Sequence, residues 1–266
     1  MKYSIITINY NNREGLRRTI DSVTTQVFKD YEYIIIDGGS TDGSIDIIKE
    51  YATHITYWVS EPDNGIYNAM NKGIKVANGD YCLFLNSGDC LYDNYVIQRF
   101  NMHNSDKDII VGKVFNLQTN SEIFLPPERD ISLYHLFTST VPHQGSLIKT
   151  SIQKKNLYDE SLKIVADWKF FVQTIIISNC SIEYTNIPIS KYDTKGISSV
   201  NTKDTRQEKE MVLMKMFPAR LLADYQWMKS TECMTLALTP QLKFNYRIDQ
   251  LLYKIGKFLL RLRNVL

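Results

Sequence analysis

The first hundred residues alternate short apolar runs with segments of helical spacing, and this alternation restricts the fold more than any other feature of the sequence. The apolar runs cover residues 3–8, 31–36, 54–59 and 81–85. Helical spacing follows over residues 13–26, from residue 42 onward, and over 66–77. Strands that alternate with helices of about ten residues indicate βαβ units. We therefore predict an α/β fold with an open, mostly parallel sheet flanked by helices.

The pattern is less regular beyond residue 100. It predicts strands over residues 108–115, 144–148 and 182–189, a loop over 126–130, and a helix over 165–177. After residue 200 the sequence becomes rich in Met, Leu, Lys and Arg, which predicts a C-terminal helical extension. We place a boundary near residue 200.

Composition argues against several functional classes. The formal net charge of +2 is too small to favour nucleic-acid binding. No segment approaches the roughly 20 apolar residues of a membrane span, and the first residues form a strand pattern instead of a signal peptide. The four cysteines show no CxxC spacing, so we expect free thiols in a reducing compartment. These features predict a cytoplasmic protein.

Polar side chains follow each of the first four predicted strands. They are Asn9, Asp37, the pair Glu61 and Asp63, and the pair Asn86 and Asp89. In open α/β sheets, ligands bind beyond the carboxyl ends of the strands, where these residues would meet. The sequence therefore predicts one polar site at this edge of the sheet.

The segment from Asp37 to Gly43 follows an apolar run and reads DGGSTDG. Its glycines permit close backbone approach, so the Asp37 carboxylate can bind the edge of a uracil or a ribose. A turn-capping role for Asp37 is the alternative. The segment lacks the lysine of a P-loop and the GxGxxG spacing, which argues against a nucleoside triphosphatase.

The tetrad Asn86-Ser87-Gly88-Asp89 ends the fourth predicted strand. Mg²⁺ and Mn²⁺ prefer oxygen ligands, and enzymes that use them on a diphosphate supply one or two carboxylates. Asp89 can bind such a cation directly, while Asn86 can offer an amide oxygen or contact a ribose. A simple turn is the alternative interpretation.

Five segments, taken in order, resemble the signatures of family 2 glycosyltransferases of the GT-A fold. They are SIITINYN at 4–11, DGGSTDG at 37–43, SEPDNGIY at 60–67, NKG at 71–73 and NSGD at 86–89. The resemblance covers about residues 1–200 and is strongest to the branch found in O-antigen, colanic acid and capsule gene clusters. It implies a GT-A type nucleotide-binding sheet, a UDP-sugar donor, Mn²⁺ or Mg²⁺ as cofactor, and inversion at the anomeric carbon. It also implies a nucleotide-sugar-binding half (1–100) and an acceptor-binding, catalytic half (101–200), followed by the extension (201–266).

The same resemblance implies roles for residues of the first half. The donor-binding residues would be Thr7, Asn9, Asp37, Asp63, Lys72, Asn86 and Ser87. Asp37 would face the base, Asp63 would lie near the nucleoside, and Lys72 near the phosphates. The tetrad corresponds to the family's metal-binding Asp-x-Asp region, but Asn86 and Gly88 replace two acidic positions, which leaves Asp89 as the metal-binding carboxylate.

Residues 142–144 and 165–170 also match this branch. In the family, the acidic residue at the position of Asp167 is the general base that deprotonates the attacking hydroxyl. Trp168 and Gln144 would contact the sugar or the acceptor, and His143 the diphosphate or the cation. Residues 192–199 resemble the family's segment over the donor. Taken alone, Asp167 also fits a helix N-terminal cap, and Trp168 and His143 fit structural roles.

Residues 241–266 form a separate feature, with six basic side chains, one acidic side chain and apolar residues at helical spacing. A basic amphipathic helix of this kind binds anionic lipid, although packing on the protein or on a second subunit is the alternative. We predict peripheral attachment to the inner face of the cytoplasmic membrane. The sequence leaves open whether the chain forms a homodimer.

These features together predict a glycosyltransferase of the hexosyltransferase type. It would move a sugar from a UDP-sugar to a saccharide acceptor, carried on a polyprenyl diphosphate, during synthesis of bacterial surface polysaccharide. A nucleotidyltransferase shares the sheet and the acidic metal site, but its first strand should lead into a Gly-rich loop with Arg and Lys, whereas residues 9–13 read NYNNR. The reduced metal tetrad leaves an inactive nucleotide-sugar-binding module as a second alternative.

Overall fold

A computed structural model of the chain describes residues 2–123, 131–193 and 202–227, except for the side chains of 202 and 203. The predicted loop at 126–130, most of the predicted loop at 192–199 and the predicted helix at 241–266 lie outside these residues. Within the described ranges, no helix is long and apolar enough to cross a membrane.

One sheet forms the centre of the fold, and eight strands of the described residues pair in the order β3-β2-β1-β4-β7-β6-β8-β5. The strands are β1 (Tyr3–Asn9), β2 (Tyr31–Asp37), β3 (Tyr57–Ser60), β4 (Tyr81–Phe84), β5 (Cys90–Leu91), β6 (Ile109–Asn116), β7 (Ser146–Lys149) and β8 (Ile182–Tyr192). The first four strands along the chain pair in parallel. Antiparallel pairs join β7 to β4 and β6, and β5 to β8, while β6 and β8 are parallel. The sheet is therefore parallel among β1–β4 and mixed among the other strands.

Helices alternate with these strands along the chain. They are α1 (Arg13–Thr24), α2 (Ser44–Glu50), α3 (Ile66–Val76), α4 (Val96–His103), α5 (Leu133–Thr138), α6 (Thr150–Lys155), α7 (Ala166–Phe171) and α8 (Thr202–Met216). Of these, α1 and α4 pack on one face of the sheet and α3 packs on the other. Ile5 of β1 belongs to the core cluster that contains Leu16 of α1 and Phe100 of α4. Ile6 points to the opposite face, because successive strand side chains alternate.

Local sequence explains how the two helices nearest the site are placed. The side chain of Asn12 accepts a hydrogen bond from the Gly15 N–H and caps α1. Leu16 is fully buried on that helix, which contributes about 1.5–3 kcal/mol. On the other face, α3 lies so close to β1 that a Cβ on Gly73 would stand 2.5 Å from Cγ2 of Ile6. A glycine is therefore required where α3 crosses the sheet.

The second half differs from a regular α/β unit. Helix α7 continues directly into a π-helical segment, Val172–Ile177, so the helix predicted over 165–177 is present with a change of winding. Such π segments are frequent at functional sites. The chain divides into two compact units between Lys209 and Glu210, which falls inside α8. In the second unit, residues 219–227 are helical. The domain boundary placed near residue 200 stays a prediction.

The α/β prediction is confirmed, and the differences concern short elements. The sequence pattern did not predict β5, α4, α5 or α6, which span only two to eight residues. Segments this short cannot repeat an apolar position often enough to show a period. The run at 54–59 proved to be a 3₁₀ turn followed by β3, and the run at 144–148 begins with a 3₁₀ turn before β7.

Candidate active site

The carboxyl ends of β1, β2 and β4 bring the predicted polar residues to one edge of the sheet. Asn9 and Asp37 are register partners at the ends of β1 and β2. The Gly38 N–H donates to the Asn9 carbonyl (2.9 Å), and the Ser87 N–H donates to the Ile8 carbonyl (3.0 Å). The loops after these three strands are therefore joined through β1.

Asp37 organises the loop after β2. It is fully buried, and its carboxylate accepts hydrogen bonds from Asn9 Nδ2 (2.7 Å), Ser40 Oγ (2.6 Å), Ser60 Oγ (2.6 Å) and the Ser40 N–H (2.9 Å). Burial raises the pKa of Asp37, but these hydrogen bonds outweigh burial and hold the pKa below its ordinary value. Asp37 is thus an ionised turn cap. Its contact with a base stays a prediction.

Asp63 and Lys72 form an ion pair beside this loop. Lys72 Nζ lies 2.6 Å from Asp63 Oδ1 and 2.8 Å from Glu61 Oε1. Burial lowers the pKa of Lys72, but the two carboxylates outweigh burial and raise it. A Cβ on Gly38 would stand 2.9 Å from Asp63 Oδ2 and 3.2 Å from the Tyr10 ring. The backbone of Gly38 is therefore packed closely between the Asp63 carboxylate and the Tyr10 ring, and a larger residue would clash there.

The tetrad after β4 is a turn held by α1. The Asp89 N–H donates to the Asn86 carbonyl (2.9 Å), and Gly88 adopts φ of +112°, which favours glycine. The Thr19 hydroxyl accepts from the Gly88 N–H (3.0 Å) and donates to the Asp89 carbonyl (2.6 Å). Asn12 Nδ2 donates to the Ser87 carbonyl (2.8 Å). The turn that the sequence left as an alternative is present, and it fixes the Asn86 and Asp89 side chains.

Two oxygens of this turn lack hydrogen-bond partners. Asp89 is 3% exposed, and its Oδ1 accepts from the Asp193 N–H (2.9 Å), whereas its Oδ2 is buried without a partner. Asn86 Oδ1 is also buried without a partner. Burial raises the pKa of Asp89 to about 7, although the Asp193 N–H and His143 oppose that rise. A positive charge beside Asp89 would stabilise its ionised form.

These oxygens fit a hard divalent cation. Within the described residues, no group of three or more His, Cys, Asp or Glu side chains could hold a metal ion. A cation that also binds a diphosphate needs only one or two protein carboxylates, because phosphate and water complete its coordination. Asp89 Oδ2 and Asn86 Oδ1 are oxygen ligands of this type. Mn²⁺ or Mg²⁺ is therefore compatible with the tetrad.

Asp167 lies in the first turn of α7, after Ala166, and contacts three neighbouring groups. Its Oδ2 lies 2.9 Å from His143 Nδ1. Its Oδ1 accepts from the Trp168 N–H (2.8 Å) and from the Tyr67 hydroxyl (3.2 Å), which also donates to the Ile164 carbonyl (2.6 Å). Tyr67 comes from α3, so a helix of the first hundred residues directly contacts the predicted base.

The pKa values of this pair shift in opposite directions. Burial raises the pKa of Asp167, but the hydrogen bond and charge of His143 outweigh burial and lower it. Burial lowers the pKa of His143, but the Asp167 carboxylate outweighs burial and raises it. Both shifts favour an ionised Asp167. A carboxylate at this position is thus ready to accept a proton.

His143 connects Asp167 to the tetrad. Its Nε2 lies 3.4 Å from Asn86 Nδ2, so both ring nitrogens have partners. Ligation of a metal by His143, as the resemblance suggested, would require one of these contacts to be broken. The tautomer of His143 and the orientation of the Asn86 amide follow from this hydrogen-bond network.

The remaining predicted residues are more enclosed. Thr7 is fully buried and shares a hydrogen bond of 3.0 Å with the Tyr33 hydroxyl. Gln144 is buried in the 3₁₀ turn before β7. Trp168 is 2% exposed, its Nε1 donates to the Leu136 carbonyl (2.6 Å), and Lys209 Nζ lies 5.0 Å from its ring centroid. Direct contact of these three residues with a ligand stays a prediction.

Comparison with known proteins identifies the family of this chain. The family model described as "Glycosyl transferase family 2" matches residues 4–159, more than half of the chain. The chain belongs to glycosyl transferase family 2. An uncharacterized glycosyltransferase of Mycobacterium tuberculosis is 32% identical over 203 residues, which cover 74% of this chain and 76% of the relative. A Mycobacterium bovis protein named PGL/p-HBAD biosynthesis glycosyltransferase is 27% identical over 201 residues, covering 73% and 77%.

Solved structures of glycosyltransferases share the fold. S. aureus TarS 1-349 in complex with UDP-GlcNAc aligns with a TM-score of 0.66 and 18% identity, over 80% of this chain and 66% of that chain. Mannosyltransferase PcManGT from Pyrobaculum calidifontis, in complex with GDP-Man and Mn²⁺, aligns with a TM-score of 0.58 and 14% identity, covering 80% and 63%. This glycosyltransferase therefore has a GT-A type fold and spans less than two thirds of these solved chains.

Two residues that the sequence motifs did not predict, Tyr67 and Glu208, help to hold Asp167 in place. Tyr67 holds Asp167 from α3, as described above. Glu208 of α8 accepts hydrogen bonds from three consecutive backbone N–H groups, those of Lys163 (2.7 Å), Ile164 (2.8 Å) and Val165 (3.0 Å). It thereby fixes the turn that leads into Asp167. Tyr67 lies inside the SEPDNGIY segment, which could have signalled it, whereas no motif marks Glu208.

Proposed function

We propose that this enzyme transfers a sugar from a UDP-sugar to a saccharide acceptor with inversion at the anomeric carbon. The observation that carries the proposal is the connection from Asp167 through His143 to Asn86. It links an ionised carboxylate, whose side chain is 21% exposed, to the edge of the sheet where family 2 enzymes bind their donor. TarS, which binds UDP-GlcNAc, has the same fold and supports a UDP-sugar as the donor.

On the donor side, we assign the nucleoside to the exposed ring of Tyr10 and the carboxylate of Asp63, which flank Gly38 after β2. An aromatic ring offers a stacking surface, and a carboxylate accepts hydrogen bonds from N–H groups of a base. Lys72 Nζ lies 2.6 Å from Asp63 Oδ1, so we assign Lys72 to the phosphates of the same nucleotide. Asn9 and Asp37 act by holding the loop that forms the pocket.

The reaction then needs one proton transfer and one displacement. Asp167 accepts the proton of the acceptor hydroxyl, whose oxygen forms a bond to the anomeric carbon. The bond from that carbon to the diphosphate oxygen breaks, and UDP leaves with the bonding electron pair. A carboxylate has about four lone-pair sites, and Tyr67, Trp168 and His143 occupy three of those on Asp167, so one remains for the acceptor.

Asp89 and Asn86 are the residues that we assign to Mn²⁺ or Mg²⁺. When bound, such a cation would neutralise charge on the diphosphate leaving group. PcManGT, which shares the fold, is solved with Mn²⁺. The buried, unpartnered oxygens of Asp89 and Asn86 support the same assignment here.

We further propose that the acceptor is a saccharide on a polyprenyl diphosphate, used for bacterial surface polysaccharide. The resemblance to the O-antigen, colanic acid and capsule branch supports this assignment. A lipid carrier would confine the reaction to the cytoplasmic face of the membrane, where the basic residues 241–266 would attach the protein.

The test is a thermal-shift screen of the full chain against nucleotide sugars, each with and without Mn²⁺, followed by an assay of UDP release. We expect a UDP-sugar to give the largest shift and to be hydrolysed slowly when no acceptor is present. Binding without hydrolysis or transfer would favour the inactive module. Release of pyrophosphate from a nucleoside triphosphate and a sugar phosphate would favour a nucleotidyltransferase.

A further inference from the structure

Gly88 contributes no side chain to the tetrad at residues 86–89, and the side chain of Asp193 lies beside it. The backbone of Gly88 has φ of +112°, which side chains rarely adopt. A Cβ at this position would stand 3.5 Å from Asp193 Oδ2 and 3.6 Å from Asp193 Cβ. The carboxylate of Asp193 therefore occupies the space beside the turn into which a side chain at position 88 would project.

Asp193 is tied to the tetrad through its backbone. It directly follows β8, and its N–H donates to Asp89 Oδ1 (2.9 Å). Its Oδ1 accepts from Gln118 Nε2 (2.9 Å), and its Oδ2 lies 3.7 Å from Arg18 Nη1. The Asp193 side chain is 22% exposed, so one edge of the carboxylate is accessible. Asp89 and Asp193 thus come together at the tetrad through this backbone hydrogen bond, although 104 residues separate them.

A second observation points to a ligand at this place. Asp89 Oδ2 is buried without a hydrogen-bond partner although the residue is only 3% exposed. Buried carboxylate oxygens are normally hydrogen-bonded or bound to a cation, because an unpartnered one loses its solvation without compensation. The pair of carboxylates supplies the one or two acidic ligands that Mg²⁺ and Mn²⁺ use on a diphosphate substrate.

We propose that Asp193 is a metal-binding residue that supplies the second carboxylate of the cation site, in place of the acid missing at Gly88. The inference rests on the proposed function, since it presupposes a divalent cation at Asp89. Arg18 then acts as the counter-charge of Asp193 when no cation is bound. Residues 86–89 hold a single carboxylate, and Asp193, which directly follows β8, would supply the second.

The rival explanation is that Asp193 is only the ion-pair partner of Arg18. The two explanations predict different cation affinities when the charge of Asp193 or of Arg18 is removed. If Asp193 binds the cation, Asp193→Asn weakens cation binding and Arg18→Gln strengthens it, because a competing positive charge is removed. If the pair is purely structural, both substitutions lower the melting temperature and leave the affinity for the cation unchanged.

The experiment measures Mn²⁺ affinity of the full-length protein by calorimetry and by electron paramagnetic resonance of free Mn²⁺, without nucleotide and with UDP. Glu14→Gln is the matched control for Asp193→Asn, because each substitution removes one negative charge. Glu14 lies on the same helix as Arg18. We expect Asp193→Asn to weaken Mn²⁺ binding by about tenfold or more. Glu14→Gln should change it by less than about twofold.

Melting temperatures of all variants establish that they are folded, and Asp193→Ser is a second substitution should the asparagine variant misfold. Unchanged Mn²⁺ affinity in folded Asp193 variants, together with a loss in Asp89→Asn, would overturn the role of Asp193 while leaving the proposed function intact. A wild-type protein that transfers sugar and binds UDP identically with Mn²⁺ and with a chelator would overturn the cation site itself.

Discussion

Replacing Asp167 by asparagine removes one negative charge from the site and keeps the size of the side chain. The side-chain oxygen of asparagine can still accept from the Trp168 N–H and the Tyr67 hydroxyl, which hold Oδ1 in the wild type. The new amide group cannot accept the hydrogen bond from His143 Nδ1. The substitution therefore tests the charge and basicity of residue 167 with little change in packing.

The structure predicts three effects of different size. Loss of a general base should lower kcat by about 10²–10⁴-fold, because the acceptor proton no longer has a carboxylate to receive it. UDP affinity should change only a few-fold, since a base acts mainly in the transition state. The free energy of unfolding should fall by about 1.5–3 kcal/mol, the usual contribution of a hydrogen bond to a charged group.

The pKa of His143 provides an independent measurement. In the wild type, burial lowers this pKa, but Asp167 outweighs burial and the net shift is upward. In Asp167→Asn, the burial effect remains and only the more distant charge of Asp89 opposes it, so the pKa should fall. The raised pKa of His143 stabilises the fold below its unfolded pKa of about 6.5, and this contribution disappears as pH rises through the folded pKa. The variant should lack that dependence.

Asp159→Asn is the matched control. Asp159 lies eight residues before Asp167 along the chain and pairs with Lys169 (2.6 Å) instead of His143. We expect it to keep near-normal kcat. The assays are sugar transfer for kcat, calorimetry for UDP, and NMR titration of the His143 ring. Near-normal turnover in Asp167→Asn, or an unchanged His143 pKa, would show that the base lies elsewhere, with Asp159 and Glu160 the next candidates.

Three further changes test other parts of the site. Asp89→Ala should abolish transfer and the enhancement of UDP binding by Mn²⁺, measured by calorimetry, and an enhancement that persists would remove Asp89 from the cation site. Glu208→Ala should lower kcat about tenfold, and it should lower the free energy of unfolding by about 1–3 kcal/mol, because three backbone N–H groups lose their acceptor. Glu208→Gln should recover part of both losses. Truncation before Gln241 should abolish flotation with anionic liposomes, and equal, salt-insensitive flotation of both chains would exclude membrane attachment by the tail.

The sequence predicted which residues meet at the ends of the first strands better than it predicted the surroundings of Asp167. Asn9, Asp37 and Asn86 follow strands in a regular βαβ pattern, and such a pattern places strand ends together. It left open whether Asp37 caps a turn or binds a base, and the structure reveals the cap. No local pattern could predict that Tyr67 reaches Asp167, because these residues are 100 positions apart and meet through the order of strands in the sheet.

The metal-binding prediction had the same limitation. A tetrad read along the chain contains one carboxylate, and the missing acid looked like a loss of function. Asp193 approaches the tetrad because β8 pairs antiparallel with β5, the two-residue strand that directly follows Asp89. That short strand has no signal in the sequence. The contribution of Asp193 therefore becomes visible only from the tertiary structure.

Glu208 also has a consequence for the order in which the protein becomes active during synthesis. It completes the turn at Lys163–Val165 from 43 to 45 residues further along the chain. Glu208 is the acceptor for these three N–H groups. When the eight described strands have left the ribosome, Glu208 has therefore not yet followed. A chain that stops between β8 and Glu208 would contain all eight strands and the donor loops, yet would lack the residue that fixes the entrance to Asp167. Such a nascent chain should bind its nucleotide before it can transfer a sugar.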